Sequence, residues 1–423
     1  MTQDQQSQYN ETFPDGVTEP EYELYGRGEH AVDVDPAGVF ADVPDEDAEY
    51  RQRAREFSLT EVAPIIDDYW DRADYPLQLV RRLGELDLLR DGVNLDGFPH
   101  QSRLAAGLVN MELARVDASV ATIVGVQGAL ALRSVADKGS QEQVERWARP
   151  MATGELPGAF ALTEPTHGSD SVGLGTRATR VSGGWVLNGE KKWIGNGSLG
   201  PQLGLEAASV VWARDDDGDV RGFVVDQASP GYSAETITGK LALRAIWQAH
   251  ITLKNMFVPD DALLADARSF KDTSQVLFAT RLGVAWSAVG AAMGAYETAV
   301  AYAKQREQFG RPLASSQIVN ERLARMQSEM VQIQLLARHC ERLEAAGALT
   351  GPQASLAKYS STRAARSIAA NARDLLGGNG ILIGNRAARH FADVEALHTY
   401  EGTETVQALL IGRSVTGKST FTG

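Results

Sequence analysis

The sequence predicts a mainly α chain with a central β domain, and three observations carry that reading. Apolar residues recur at helical spacing from Pro44 to about Gly154; the period switches to two between about Glu155 and Asp266; and the helical period returns after Ser274. At 423 residues the chain is about two to three times a typical single domain. We divide it into an acidic N-terminal arm (1–44), a helical domain (45–154), a middle β domain (155–273) and a second helical domain (274–423).

The arm is rich in Asp, Glu, Pro and Gly, carries no sustained period and is broken by Pro14, Pro20, Pro36 and Pro44, so it reads as an extended, loosely structured segment. It also explains the net charge of −14. Residues 1–50 hold fourteen acids against one base, Arg27, while the other 373 residues hold 40 bases against 41 acids, a balance of −1. The arm lacks a basic stretch ahead of an apolar one, and its acidity opposes a transit peptide, which leads us to expect a cytoplasmic protein. The acidic balance argues against nucleic-acid and anionic-membrane partners. The weakly polar stretch Leu282 to Tyr296 is too short to span a bilayer and, rich in Ala and Gly, suits a buried helix.

In the first helical domain Asp45 opens an acidic first turn, and Val62, Ile65, Ile66 and Trp70 follow at helical spacing; four or five helices fit. In the β domain the alternating pieces are Gly184 to Asn188, Ser209 to Ala213, Gly222 to Asp226 and His250 to Leu253. Between two of them lies Asp215-Asp216-Asp217-Gly218-Asp219. A calcium loop would need a glycine at its sixth position, where Val220 stands, so a hairpin turn is the better reading. In the last domain Ile318, Leu323, Met326, Met330, Ile333, Ala337 and Cys340 recur at intervals near three and four, which makes them core positions.

Several chemistries are excluded by spacing. One cysteine, Cys340, rules out an intrachain disulfide and a cysteine-based zinc site. The seven histidines show no metal-ligand pairing, there is no P-loop, and Ser198 lacks a nucleophile-elbow frame, so we expect no metal. The glycine-dense Gly377-Gly378-Asn379-Gly380 has Ile383 where a dinucleotide fingerprint needs its third glycine, and it follows a helical pattern. What remains is a series of loop strings: Leu162-Thr163-Glu164-Pro165 with Gly168-Ser169-Asp170; Trp193-Ile194-Gly195-Asn196; Arg306-Glu307-Gln308-Phe309-Gly310; Leu375 to Gly380; and Thr399-Tyr400-Glu401-Gly402-Thr403. In this order, across a helix, β, helix arrangement, they resemble the acyl-CoA dehydrogenase family from about residue 50 to 419. Within it the chain is most similar to the branch of glutaryl-CoA dehydrogenases and plant short-chain acyl-CoA oxidases, through Ala114 to Ser119, Asp374 to Ile381 and Leu409 to Arg413.

The resemblance implies an N-terminal helical domain, a middle β-barrel and a C-terminal four-helix bundle, with FAD as cofactor, an acyl-CoA substrate, an electron-transfer flavoprotein as acceptor, and a homotetramer, at least a dimer, in which the FAD site is shared between subunits. Glu401 matches the base that takes the substrate α-proton; held in an apolar pocket, a carboxylate becomes more basic. Gly402 then lets the chain approach the acyl group closely. Phe160, Leu162, Thr163, Ser169, Trp193, Ile194 and Gly195 match positions around the flavin ring, and Thr403 and Thr405 match positions near the flavin end of the next helix; Ser169 also faces substrate. Arg306, Gln308, Phe309, Gln317, Asp374, Gly377 and Gly378 match positions reaching the pyrophosphate and adenosine of a neighbouring subunit's FAD, and a helix C-cap is the other reading of the glycine pair. Thr280 and Arg281 match a substrate-side pair, with CoA as a candidate anion for the arginine.

Three departures bear on substrate and acceptor. Glutaryl-CoA dehydrogenases carry an arginine for the distal carboxylate where this chain has Ala121, followed by Thr122, so a short or branched monoacyl chain fits better. Gly195 stands where dehydrogenases usually present a Thr; plant oxidases share the glycine, and the space so opened is expected to admit dioxygen. Trp247 either shortens the acyl pocket or is barrel packing. The expectation is a short-chain acyl-CoA dehydrogenase; the rivals are an acyl-CoA oxidase releasing peroxide, a glutaryl-CoA dehydrogenase, and a flavin-free scaffold on the same fold.

Overall fold

The computed structural model describes residues 21–418. Readings that concern 1–20 and 419–423 lie outside the described residues.

Helix α1 (Asp45–Phe57) begins with Asp45, Glu46 and Asp47 in its first turn, where carboxylates complement the helix dipole. Helix α2 (Arg103–Ala114) is capped by the Ser102 hydroxyl and is buried along almost its whole length. The apolar helix α3 (Ala118–Lys138) is capped by the Asp117 carboxylate, which accepts from the amides of Ser119 and Val120. Of these, α3 packs through Gly125–Leu132 on β1 of a curled sheet of seven strands: β1 (Gly158–Ala161), β2 (Arg177–Val181), β3 (Gly184–Gly195), β4 (Ala208–Arg214), β5 (Val220–Asp226), β6 (Tyr232–Thr236) and β7 (Gln248–Pro259). The ladder runs β1-β4-β2-β3-β7-β6, with β5 paired to β4, so the expected barrel takes the form of a curled sheet. Asp215 to Asp219 is the β4–β5 hairpin turn: the Asp215 amide donates to the Asp219 carbonyl at 2.8 Å, and Gly218 takes a left-handed φ of 91°.

The last domain holds α4 (Phe270–Gln305), α5 (Gln317–Ala345), α6 (Gly351–Leu375), α7 (Ala387–Thr399) and α8 (Glu404–Thr416), with α6 packed against the other four. Helix α4 starts four residues before Ser274 because Ser269 and Asp272 form a capping box. The stretch Leu282 to Tyr296 belongs to this 36-residue helix. Helices α3 and α4 are long and apolar enough by length and composition to cross a membrane, yet 78% and 72% of their apolar windows are buried inside the protein, as in core helices.

Two expectations are corrected. Residues 21–44 are no loose arm: Leu24, Val34, Val39 and Phe40 are inserted into the helical core. The Leu24 carbonyl accepts from Arg386, whose guanidinium also lies 4.0 Å over the Tyr25 ring. Beneath this strap Glu297, fully buried on α4, meets Arg115 at 2.6 Å, Arg55 at 3.3 Å and Arg386 at 3.5 Å, tying both helical domains together. In α5, Met326, Met330, Ile333, Ala337 and Cys340 are core, but Ile318, in the first turn, is exposed.

Candidate active site

Helix α7 ends at Thr399, and four residues later Thr403 caps α8, its hydroxyl accepting from the Val406 amide at 3.3 Å. Between the two helices Glu401 takes a left-handed φ of 53°, a strained conformation for a residue with a side chain. The neighbours hold it there. Lys358, fully buried on α6, donates to the carbonyls of Tyr400 and Gly402, and Gln407 on α8 donates to the carbonyls of Glu401 (3.0 Å) and Gly402 (3.1 Å). The Thr280 hydroxyl on α4 donates to Glu401 Oε2 at 2.9 Å. Arg281, next along the helix, donates to the Ser355 hydroxyl at 3.3 Å, while its buried Nε has no hydrogen-bond partner among the described residues.

Burial pushes the Glu401 carboxyl upward, opposed by the Thr280 hydrogen bond and by the charges of Lys358 and Arg281. The Lys358 ammonium is pushed down to about 7 by burial, opposed by Glu401. Burial likewise lowers Arg281 and raises the Tyr400 phenol, beside which stands the Thr122 hydroxyl. Glu401 is thus a carboxylate whose basicity is raised by its surroundings, adjacent to an arginine with an unused donor.

The strings from the β domain meet at one end of the sheet. The Lys192 amide donates to the Thr163 carbonyl at 2.8 Å, bringing Leu162-Thr163 beside Trp193. Behind them Lys191 donates to Glu164 at 2.8 Å and to the Leu162 carbonyl at 3.0 Å, both side chains buried; Glu164 also accepts from the amides of Gly175 and Thr176. Phe160, Leu162, Ile194 and Gly195 are buried, Ser169 is exposed, and Trp193, with φ of 66°, leaves 53% of its surface uncovered. The charges of Lys191 and Glu164 are turned inward, so this surface presents hydroxyls, amides and an open indole, which fits a neutral flavin ring with acceptor oxygens.

Gly195 does not open a space. A Cβ there would lie 2.7 Å from Val126 Cγ2 and 3.2 Å from Cγ1, so the α3 valine occupies the room that the missing side chain leaves. This corrects the expectation of an oxygen path at that point. Ala121, also on α3, is fully buried, and the Thr122 hydroxyl donates back to the Ala118 carbonyl at 2.7 Å. Trp247 is packing: its Nε1 donates to the Ala73 carbonyl at 3.0 Å and its ring meets Tyr75 at 5.9 Å.

The remaining predicted residues lie elsewhere. Arg306 follows the far end of α4, about 26 residues and hence about 39 Å from Thr280 along the helix. Around it, Gln308, Phe309, Gln317, Asp374, Gly377 and Gly378 are exposed. Gly377, with φ of 60°, ends α6 as a C-cap would; Gly378 has neither positive φ nor a close neighbour, so its lack of a side chain answers no need within this chain. Thr405 is exposed on the first turn of α8. Sequence reasoning missed Lys358, Gln407, Val126 and the Lys191–Glu164 pair. Lys358 was detectable: it shares a helical face with Ala354, Ser361 and Ala365, all buried.

Comparison with known proteins places this geometry. Acyl-CoA dehydrogenase N-terminal, middle and C-terminal domain models match residues 44–155, 159–256 and 270–416. The chain belongs to the acyl-CoA dehydrogenase family. Its members are FAD-dependent oxidoreductases. The mitochondrial short-chain specific acyl-CoA dehydrogenase of Bos taurus is 31% identical over 383 residues, covering 88% of this chain and 90% of that one. Two structures from Mycobacterium smegmatis superpose with a TM-score of 0.87: a glutaryl-CoA dehydrogenase, 39% identical and covering 92% of this chain and 99% of its own, and a glutaryl-CoA dehydrogenase in complex with FADH2, 35% identical over 92% and 98%. In this acyl-CoA dehydrogenase the loop between α7 and α8 carries the family's Tyr-Glu-Gly-Thr string, the string that begins at Leu162 follows β1, and Trp193-Ile194-Gly195 ends β3.

Proposed function

We propose that this enzyme removes hydrogen from the α and β carbons of a short, non-carboxylated acyl-CoA, giving the trans-2-enoyl-CoA, and passes the electrons to an electron-transfer flavoprotein. The observation that carries the reading is the setting of Glu401: a carboxylate made more basic by burial, fixed in a left-handed turn and held by Thr280, Lys358 and Gln407. Bound FAD supplies the acceptor for the hydride that leaves the β carbon. Glu401 takes the α-proton, and the electron pair of that C–H bond forms the new double bond as the β-hydride departs. As the family resemblance implies, the backbone amide of Glu401 would donate to the thioester oxygen as negative charge develops there. Arg281, with its unused donor, offers a charge for the CoA moiety.

Phe160, Leu162, Thr163, Ser169, Trp193, Ile194, Gly195, Thr403 and Thr405 would hold the flavin end of FAD. Arg306, about 39 Å from Thr280 along α4, would with Gln308, Phe309, Gln317, Asp374, Gly377 and Gly378 serve a neighbouring subunit's FAD, which supports a homo-oligomer, expected as a tetramer. A glutaryl substrate is the reading that the Mycobacterium smegmatis neighbours favour. Against it, Ala121 is buried and brings no charge, and an unpaired buried carboxylate costs several kcal/mol, of order three or more. Against the oxidase reading stands Val126, which fills the space beside Gly195.

The test is an anaerobic panel of butyryl-, isobutyryl- and glutaryl-CoA against the flavin-loaded protein, followed by air. Faster flavin bleaching by the monoacyl substrates and slow peroxide release support the proposal. Preferred turnover of glutaryl-CoA, or rapid peroxide release, would overturn it.

A further inference from the structure

Lys358 occupies an unusual place: 1% exposed, on α6, with its Nζ donating to the carbonyls of Tyr400 and Gly402, the residues on either side of Glu401. An ammonium has three donors and no acceptor, so both bonds run from Lys358 to the carbonyl oxygens. Tyr400 is the C-terminal cap of α7, where carbonyls lack helical partners and the helix dipole favours a cation. The same two bonds clamp both ends of the left-handed Glu401 unit. The groups that face Glu401 come from each packed element: Lys358 from α6, Thr280 and Arg281 from α4, Gln407 from α8, and Tyr400 from its own loop, with His398 and Asp393 of α7 behind them. Arg281 bonds Ser355 on the same helix as Lys358, so both cations approach the carboxylate from the α4–α6 seam.

We propose that Lys358 is the positioning residue of this site: its side chain holds the peptides flanking Glu401 so that the carboxylate points at the substrate α carbon, and while protonated it is the counter-charge that favours the ionised form of that carboxylate. The inference rests on Glu401 being the base. It makes two separable demands on one side chain. The hydrogen bonds set the direction of the carboxylate, and the charge sets the pH at which it becomes a base. A cation that merely filled a helix end would change stability and leave the pH dependence of catalysis where it was.

Lys358→Gln keeps an N–H donor and removes the charge, whereas Lys358→Met keeps the length and removes both. The measurement is the rate of flavin bleaching by butyryl-CoA under anaerobic conditions, from about pH 5.5 to about pH 9, with FAD content and melting temperature recorded for each variant. A nearby cation favours the carboxylate, so its loss raises the pKa of Glu401 and moves the acid limb of the profile to higher pH by about one unit or more. Lys358→Gln is expected to show that shift with a limiting rate within about tenfold of the parent; Lys358→Met is expected to show the shift together with a loss of about a hundredfold or more. An unshifted limb in Lys358→Gln overturns the proposal, as does a Lys358→Met limiting rate within about twofold of the parent. Should the Met variant fail to fold, the Gln variant alone decides by its limb. Glu401→Gln is run beside them: bleaching at the parent rate would remove the base reading itself, whereas an inactive Glu401→Gln with unshifted Lys358 variants removes only the role of Lys358.

Discussion

Gly195 and Val126 make a pair whose energetics follow from their spacing. A Cβ on residue 195 would sit 2.7 Å from Cγ2 of Val126, 3.2 Å from Cγ1 and 3.5 Å from Cβ. Carbon atoms rest at about 3.5 to 4.0 Å, so Gly195→Thr forces a retreat of about 1 Å between the end of β3 and helix α3. Both positions are anchored by backbone, and overpacking of this kind costs about 1–3 kcal/mol. Val126→Ala removes both offending γ carbons and leaves only the ordinary 3.5 Å contact. The double variant should therefore recover most of the loss, with a coupling of about 1 kcal/mol or more in a double-mutant cycle read by melting of the flavin-loaded protein. Val126→Ala alone opens the space beside Gly195, and peroxide release during butyryl-CoA turnover in air should rise. A Gly195→Thr protein as stable as the parent, or a Val126→Ala protein with unchanged peroxide release, would refute the view that Val126 plugs this position.

The remaining predictions concern the core and the base. Glu297→Gln leaves Arg115, Arg55 and Arg386 around a neutral group, which should cost about 3–5 kcal/mol and lower the melting temperature; an unchanged melt would show that the arginines find other partners. Phe40→Ala removes a ring that is 6% exposed, lies 6.2 Å from Trp286 and sits under the Arg51 guanidinium at 4.7 Å, with an expected loss of about 3–5 kcal/mol; a loss below about 1 kcal/mol would mean that the strap is loosely held. Thr280→Val removes a hydrogen bond that favours the ionised form of Glu401, so the Glu401 pKa rises and the acid limb of the bleaching profile moves to higher pH. The rate should fall more on the acid side than on the alkaline side, and an equal fall at every pH would contradict the assignment.

The periodicities of the sequence were enough for the helix, β, helix order, because the β domain is built of short β-rich pieces, some alternating (β6, β7) and some buried on both faces (β1, β4), and α4, α5 and α6 carry long apolar stretches. The Asp215 turn was legible from composition alone. Residues 21–44 were not: Leu24, Val34 and the pair Val39-Phe40 enter the core at irregular intervals, so no period announces them, and the high charge of the segment points the other way. Ile318 followed the α5 spacing yet faces outward because a helix end outruns the surface it packs on. For the site, Glu401 and the loop strings of the β domain were singled out through resemblance, not through any pattern in their own chemistry. Lys358 escaped because a lysine reads as surface, and only its phase with Ala354 and Ser361 marks it as inward. Val126, an ordinary apolar residue, gains meaning only from what lies 2.7 Å away.

The central claim is that Glu401 is the base for α,β-dehydrogenation of an acyl-CoA. Its most direct test is anaerobic addition of butyryl-CoA to the FAD-loaded parent and Glu401→Gln proteins while visible flavin absorbance is followed. Rapid bleaching in the parent, with Glu401→Gln retaining FAD but bleaching slower by at least about a thousandfold, is the predicted result. Equal bleaching in both would contradict it.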